Sequence, residues 1–325
     1  MSLQSSQNIV QAALAAGSNP LPSWNEGEPR WAILDFVERV TTAGGPDFVP
    51  MAQRIATFDN DGTLWTEQPL YFQLSFAFDR IAALAPQHPE WQSTQPFRAL
   101  VEHDQKALAE AGEKGLLQIM AETHAGMTTE AFSQAVADWF STARHPRFQR
   151  PYGELIFQPM LELLPLLRAN GFKTFLVSGG GVEFIRVFAE KAYGIPPEQV
   201  IGSSGVVSFH KDADGRVELL KEPKVEFIDD GAGKPVGINR FIGRRPILAF
   251  GNSDGDQQML EYTMAGDGPR FAGLVHHTDA GREYAYDRAS PVGKLDTALV
   301  EAEAQHWTVV DMRRDWTVIY PFEMK

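Results

Sequence analysis

Two aspartates stand two positions apart in the run Phe58-Asp59-Asn60-Asp61-Gly62-Thr63. Carboxylates crowded in this way repel one another unless a cation joins them. A hard ion such as Mg2+ takes oxygen ligands and keeps several waters, so one carboxylate could hold it and still face a substrate as a nucleophile. The other, turned away by the loop, could pass a proton to a leaving group. Gly62 permits a tight turn, and Thr63 adds a hydroxyl or backbone donor. A plain Asp-Asn-Asp-Gly turn is the competing account of the bare tetrapeptide. The β-prone run before it and Thr63-Leu64-Trp65 after it favour a site.

Three later stations could complete such a site. Ser178-Gly179-Gly180-Gly181 precedes the helix-like Val182-Glu183-Phe184-Ile185-Arg186. Glycines at the mouth of a helix offer backbone N–H groups and the positive end of its dipole to an anion, and Ser178 could add a hydroxyl. Lys234 lies in Gly231-Ala232-Gly233-Lys234-Pro235. This is not a nucleotide P-loop, because Ile228 stands where the first glycine belongs and Pro235 where Ser or Thr belongs. A lysine there can still reach a phosphate as a point charge, with Lys221 and Lys224 as rivals. In Gly251-Asn252-Ser253-Asp254-Gly255-Asp256, the side chains of Asn252, Asp254 and Asp256 are candidate metal ligands. His276 and His277 are adjacent, so on a strand they point to opposite faces and make a poor joint metal site; one of them lining a pocket is the better expectation. Asp212-Ala213-Asp214-Gly215 lacks the other ligands of a calcium loop and reads as a turn.

The elements that must position these residues repeat one plan. Arg54 to Phe58, Lys173 to Val177 and Pro246 to Phe250 are near-continuous apolar runs, each ending at a small or polar cluster and followed by a helix-like stretch. Such runs suit parallel strands covered on both faces. The expected fold is therefore α/β, a doubly wound, Rossmann-like parallel sheet with ligands outside the carboxyl ends of its strands. Between the first and second strands, residues 68–150 carry helical segments over Phe97–Ala111, Leu116–Glu122 and Thr128–Ser141, with Thr128 and Thr129 as an N-cap region. They predict an inserted all-helical cap domain, leaving 51–67 and 151–325 as the α/β core. Residues 1–50 read as an arm with an amphipathic helix over Glu28–Thr42, stopped by Gly44-Gly45. Val206–Phe209 and Val217–Leu220 predict a hairpin, and Phe271–Val275 a fourth strand.

Composition narrows the partners. The 325 residues carry a net charge of -13 and no cysteine. The acidic balance argues against nucleic acid and anionic membranes, so an anionic substrate would need local positive charge from a metal, a lysine or a helix N-terminus. Thiolate metal sites and cysteine nucleophiles are excluded. No apolar run approaches the roughly 18 residues of a membrane helix. Residues 1–17 hold no Lys or Arg, so as written they are no signal peptide. The chain is expected in the cytoplasm as written, or exported if Met1-Ser2-Leu3 replaces a removed leader.

Taken together, the four stations resemble the haloacid dehalogenase-like hydrolase superfamily over about residues 51–260. Asp59-Asn60-Asp61-Gly62-Thr63 matches its first motif, Ser178 its second, Lys234 its third and Gly251–Asp256 its fourth. An insert between the first two motifs is similar to the helical C1 cap of the phosphoserine phosphatase branch. The resemblance implies that Asp59 attacks phosphorus to form an aspartyl-phosphate. Asp61 would protonate the leaving alcohol and then activate water, while Ser178 and Lys234 stabilise phosphoryl oxygens. It places Mg2+ on Asp59, the backbone carbonyl of Asp61 and the fourth motif, with Asn252 favoured as ligand and Asp256 beside it. Thr63, Gly179, Gly180 and Glu67 would contact a small phosphorylated metabolite. Asp61 speaks for a phosphatase, because a halide leaves without a proton. A phosphonate hydrolase would need a lysine from the insert in the site; Lys106 and Lys114 exist, but nothing in the sequence places them there. Two features depart from the pattern. Asn252 stands where Asp is usual, and Glu67 is about one residue out of register for binding a substrate amine, which weighs against phosphoserine. A phosphotransferase, or a binding protein on a decayed hydrolase fold, are the alternatives.

Overall fold

The computed structural model describes residues 19–102, 119 and 124–324. Lys106 and Lys114, the opening Met1-Ser2-Leu3, and most of the expected segments Phe97–Ala111 and Leu116–Glu122 lie outside them.

Strand β1 (Ile55–Phe58) is buried at all four positions, which follows from its place in the middle of the sheet. It pairs in parallel with β2 (Lys173–Gly181) on one side and β5 (Leu248–Gly251) on the other. The seven strands run in the order β4-β3-β2-β1-β5-β6-β7, with β6 at Phe271–His276 and β7 at Thr308–Asp311. All neighbours are parallel except β3 (Val200–Lys211) and β4 (Val217–Phe227). The first residues of β3 extend the parallel sheet beside β2, while its outer half turns into an antiparallel hairpin with β4. Apolar side chains of that hairpin, Phe209 of β3 and Val217 of β4 among them, are exposed. The expected hairpin is present and longer than the sequence pattern indicated. β7 had no counterpart in the sequence reading: four edge residues carry too short a pattern to stand out.

Helices cover both faces of the sheet. Helix α1 (Glu28–Thr41) buries Ile33, Phe36, Val37 and Val40, and the Phe36 ring meets Phe271 of β6 at 5.5 Å. The arm is thereby stitched to the core. Trp31, on the expected apolar stripe, instead faces solvent. Over residues 68–150 the described residues form α2 (Phe72–Leu84), α3 (Phe97–Val101) and α4 (Thr129–Thr142), with short 3-10 turns. The Thr128 hydroxyl accepts the Ala131 N–H at 3.0 Å and caps α4. These helices meet the core through aromatic rings: Trp65 lies 4.6 Å from Phe72 and 4.4 Å from Phe188, and Phe76 lies 5.7 Å from Phe184. Ala77, Ile81, Trp91, Phe97, Leu100 and Ile119 form a separate small cluster of their own. The remaining helices are α5 (Gln158–Ala169), α6 (Val182–Tyr193), α7 (Gly233–Phe241), α8 (Gln257–Met264), α9 (Thr297–Ala304) and the single turn α10 (Met312–Asp315). Among the described residues no helix is long and apolar enough to cross a membrane.

The topology decides where chemistry can occur. β1, β2 and β5 are adjacent and parallel, so Asp59, Ser178 and Asn252, far apart in sequence, emerge at one edge of the sheet. That edge is the crevice at which open α/β sheets bind ligands.

Candidate active site

Lys234 is the hub of the cluster. It lies in the first turn of α7 and is almost wholly buried, at 1% exposure. Its Nζ donates to Asp59 Oδ1 at 2.6 Å, to Asp256 Oδ1 at 2.6 Å and to the Val177 carbonyl at 2.9 Å. All three ammonium hydrogens are thereby used. Burial works against this charge, but Asp256, Asp59 and Asp230 outweigh it and hold the ammonium above the usual lysine range. Of its two rivals, Lys221 pairs with Glu183 at the hairpin, and Lys224 lines the cleft beside it.

The acids outnumber that one cation. Burial, reinforced by Asp256, pushes the Asp59 carboxyl well above the usual carboxylate range despite Lys234. Burial likewise raises Asp61 to about 6, although its Oδ1 accepts the Trp65 indole N–H at 2.7 Å. Asp229 and Asp230, just before the Lys234 turn, are raised by burial too, Asp229 to about 7. This concentration of buried negative charge would repel a phosphate dianion unless a further cation entered.

The oxygen atoms present fit a hard cation. The Thr63 hydroxyl lies 3.1 Å from Asn252 Oδ1 and 3.4 Å from Asp59 Oδ2, one hydrogen between two acceptors. That leaves an electron-rich cradle of carboxylate, amide and hydroxyl oxygens, the donor chemistry Mg2+ prefers. Among the described residues no group of three His, Cys, Asp or Glu side chains is arranged to hold a metal. The reason lies in the fourth station. Asn252 contributes an amide, and both carboxylates near it are engaged. Asp256, expected among the metal ligands, spends Oδ1 on Lys234, while its Oδ2 accepts from the Asn252 N–H at 2.9 Å, the Ser253 N–H at 3.0 Å and the Ser253 hydroxyl at 3.2 Å. It is an anchor for the loop and for Lys234. Asp254 Oδ1 accepts the N–H groups of Asp296 at 2.8 Å and Ala298 at 3.0 Å, which ties it to the start of α9. Asn252 is the member of this loop whose side-chain oxygen meets the Thr63 hydroxyl beside Asp59.

The glycine station is narrower than expected. β2 runs through Gly181, and α6 begins only at Val182. The Gly180 N–H donates to Ser178 Oγ at 3.1 Å, and the Gly181 N–H donates to Oε1 of Gln73 at 2.7 Å. Gln73 comes from α2 of the insert, so an insert side chain already sits on the loop expected to hold an anion. No sequence signal singles it out, because glutamine on a helix face is ordinary.

Glu67 is displaced from its expected role. It is 1% exposed and lies behind Asn252, where Oε1 accepts the Asn252 Nδ2–H at 2.7 Å and the Tyr286 hydroxyl at 2.7 Å. A group so enclosed does not face a substrate amine. His277 is also buried, and its Nε2 donates to the Gly62 carbonyl at 2.8 Å while Nδ1 meets Glu283 at 3.1 Å. It pins the Asp59–Thr63 loop from behind rather than lining a pocket. His276 stays at the surface edge, 3.7 Å from Asp287. Tyr286 and Glu283 carried no motif and were not expected.

Comparison with known proteins fits this geometry. A sequence model described as haloacid dehalogenase-like hydrolase matches residues 56–261, more than half of the chain. Curated protein sequences give no match. Among solved structures, a protein of unknown function from Bordetella pertussis Tohama I is similar at 17% identity and a TM-score of 0.52, over 80% of this chain and 99% of that one. A conserved, functionally unknown protein from Anaerococcus prevotii is similar at 18% identity and a TM-score of 0.50, over 78% and 86%. A probable phosphoserine phosphatase from Vibrio cholerae is similar at 16% identity and a TM-score of 0.39, over 82% and 62%. Because the family match spans the core whose strand ends bring Asp59, Lys234 and Asp256 together, the chain belongs to the haloacid dehalogenase-like hydrolases.

Proposed function

We propose that the protein is a Mg2+-dependent phosphatase for a small phosphomonoester, with Asp59 as nucleophile. The observation that carries this reading is the pairing at the end of β1: Asp59 held by Lys234, and Asp61, half-buried two residues on, with its carboxyl raised to about 6. One carboxylate is positioned beside a fixed cation, and the other titrates near enough to neutral pH to give and take a proton, as a group acting first as general acid and then as general base must.

Asp59, the Asp61 backbone carbonyl and Asn252 would hold Mg2+, which supplies neutralisation of phosphoryl charge when bound. An Asp59 oxygen attacks phosphorus, the phosphorus–oxygen ester bond breaks, and Asp61 delivers its proton to the departing alkoxide. Water then attacks the aspartyl-phosphate and gives its proton to Asp61, which releases inorganic phosphate and restores Asp59. Lys234 holds Asp59 in place and offers fixed positive charge to the phosphoryl oxygens. Ser178, with Gly179 and Gly180, lies at the adjacent strand end to meet those oxygens once substrate enters. Insert residues around Gln73 would face the leaving group, which places substrate choice there; the enclosed position of Glu67 gives no support to a phosphoserine-like substrate.

The test is hydrolysis of p-nitrophenyl phosphate by the full chain. Turnover should require Mg2+, disappear in EDTA and return with added Mg2+. Asp59→Asn should lose at least about 10³-fold in kcat while its melting temperature stays within a few degrees. Undiminished turnover by Asp59→Asn would overturn the assignment, and phosphoester product from added alcohols would mark a phosphotransferase instead.

A further inference from the structure

Position 252 poses a charge problem. On the reading that the site holds a divalent cation, this strand end presents a neutral amide to the Thr63 hydroxyl beside Asp59. An amide is also ambiguous: turned over, it would aim Nδ2–H donors at the cation. Something must fix its orientation.

Glu67 is placed to do so. Its Oε1 accepts from Asn252 Nδ2 at 2.7 Å, and a carboxylate oxygen facing an amide selects the NH2 side. That leaves Oδ1 of the same amide toward Thr63 and Asp59. Tyr286 clamps Glu67 from the far side with its hydroxyl at 2.7 Å, and the Tyr286 ring is held by stacking on His277 at 4.4 Å. The fit is close. A Cβ at Gly62 would come within 2.1 Å of Asn252 Nδ2 and 2.4 Å of Glu67 Oε1, and one at Gly293 within 1.8 Å of Glu67 Oε1. Both glycines also have positive φ, 75° and 63°. The fold thus wraps two tight turns around one buried carboxylate. Burial, with Asp61 and Asp59 nearby, holds the Glu67 carboxyl above the usual carboxylate range, while Tyr286 and Asn252 donate to it. An enclosed acid clamped behind a neutral ligand is placed to fix which way that ligand faces.

We infer that Glu67 is the positioning residue of the metal site: it orients Asn252 so that Oδ1 faces the cation, and it places an acid one side chain behind a neutral ligand. The inference rests on the reading that this site binds Mg2+. Acid and amide have exchanged places relative to a site with an acidic ligand backed by a neutral one, and the exchange is reversible by substitution.

The experiment measures metal affinity rather than turnover. Mg2+ binding by calorimetry and Mn2+ binding by electron paramagnetic resonance are compared for the full-length chain, Glu67→Gln, Asn252→Asp and the double variant. Melting curves in EDTA verify that each is folded. Glu67→Gln should weaken binding at least about tenfold in the unmodified background, the usual size of an outer-shell effect. In the Asn252→Asp background the same substitution should weaken binding less than about threefold or strengthen it, because a neutral amide then backs an acidic ligand. Losses that agree within about threefold in the two backgrounds would overturn the proposal and leave Glu67 a packing residue. Tyr286→Phe provides a milder probe should Glu67→Gln not fold: it should weaken binding in the unmodified background and have no effect beside Asn252→Asp, and equal effects in both would again refute the idea. If the unmodified chain binds neither ion, the metal reading itself fails, a result separable from an absence of coupling.

Discussion

Asp229 offers a quantitative check on how this site is built. Its side chain is fully buried, and neither carboxyl oxygen finds a well-formed hydrogen bond, the Ser178 N–H being the nearest donor acting on it. Burial raises its carboxyl from 3.8 to about 7, against the opposing charge of Lys234. Folded Asp229 therefore keeps its proton up to about pH 7, whereas in the unfolded chain the proton leaves near the ordinary carboxylate value. Across that window the folded state binds more protons, so stability falls as pH rises and levels off above about 7. Between pH 5 and 7, with the folded group half ionised at the upper end, this amounts to about 1.7 pH units, or about 2.3 kcal/mol at roughly 1.36 kcal/mol per unit. Asp229→Asn removes the titration. Urea unfolding in EDTA at pH 5, 6, 7 and 8 should show the variant gaining on the unmodified chain by about 2–3 kcal/mol from pH 5 to 7, with little further gain at pH 8. A difference that stays constant from pH 5 to 8 would refute the reasoning, since it would mean that Asp229 is already ionised in the folded protein at pH 5.

Other substitutions address the remaining parts. Lys234→Met leaves Asp59 and Asp256 buried without their shared cation and should lower stability by about 3–5 kcal/mol in urea at pH 7.5. The loss should shrink toward pH 5, where protonation relieves Asp59, whose carboxyl burial already raises. Asp61→Asn should slow single-turnover cleavage of an alkyl phosphate at least about tenfold more than that of p-nitrophenyl phosphate, because only the alkyl leaving group needs the proton; equal effects would remove Asp61 from that role. His277→Ala frees the Gly62 carbonyl and should lower kcat more than about tenfold with a melting point lowered by several degrees, while a variant with full kcat would show that the nucleophile loop holds its shape unaided.

Much of this protein was legible without coordinates. Three apolar runs ending in small or acidic clusters told of parallel strands with a shared working edge, because a strand covered on both faces needs apolar residues throughout. Asp59 and Asp61 announced themselves by proximity, since two carboxylates at a strand end demand a reason. Lys234 and Asn252 could be named from their loops. What the chain order could not convey was which groups share atoms. Asp256 looks as good a ligand as Asn252 in sequence, and only the folded loop turns it toward Lys234 and the neighbouring N–H groups. Glu67 sits near a substrate position on paper, yet its enclosure is completed by Tyr286, 219 residues away. Gln73, His277 and Asp229 carry no local pattern, because their roles come from the strand ends and helices that converge on them. Sequence periodicity reports how each element meets the core. Hydrogen bonds between elements depend on tertiary packing, and here that packing alone settles which oxygens remain free to face a cation.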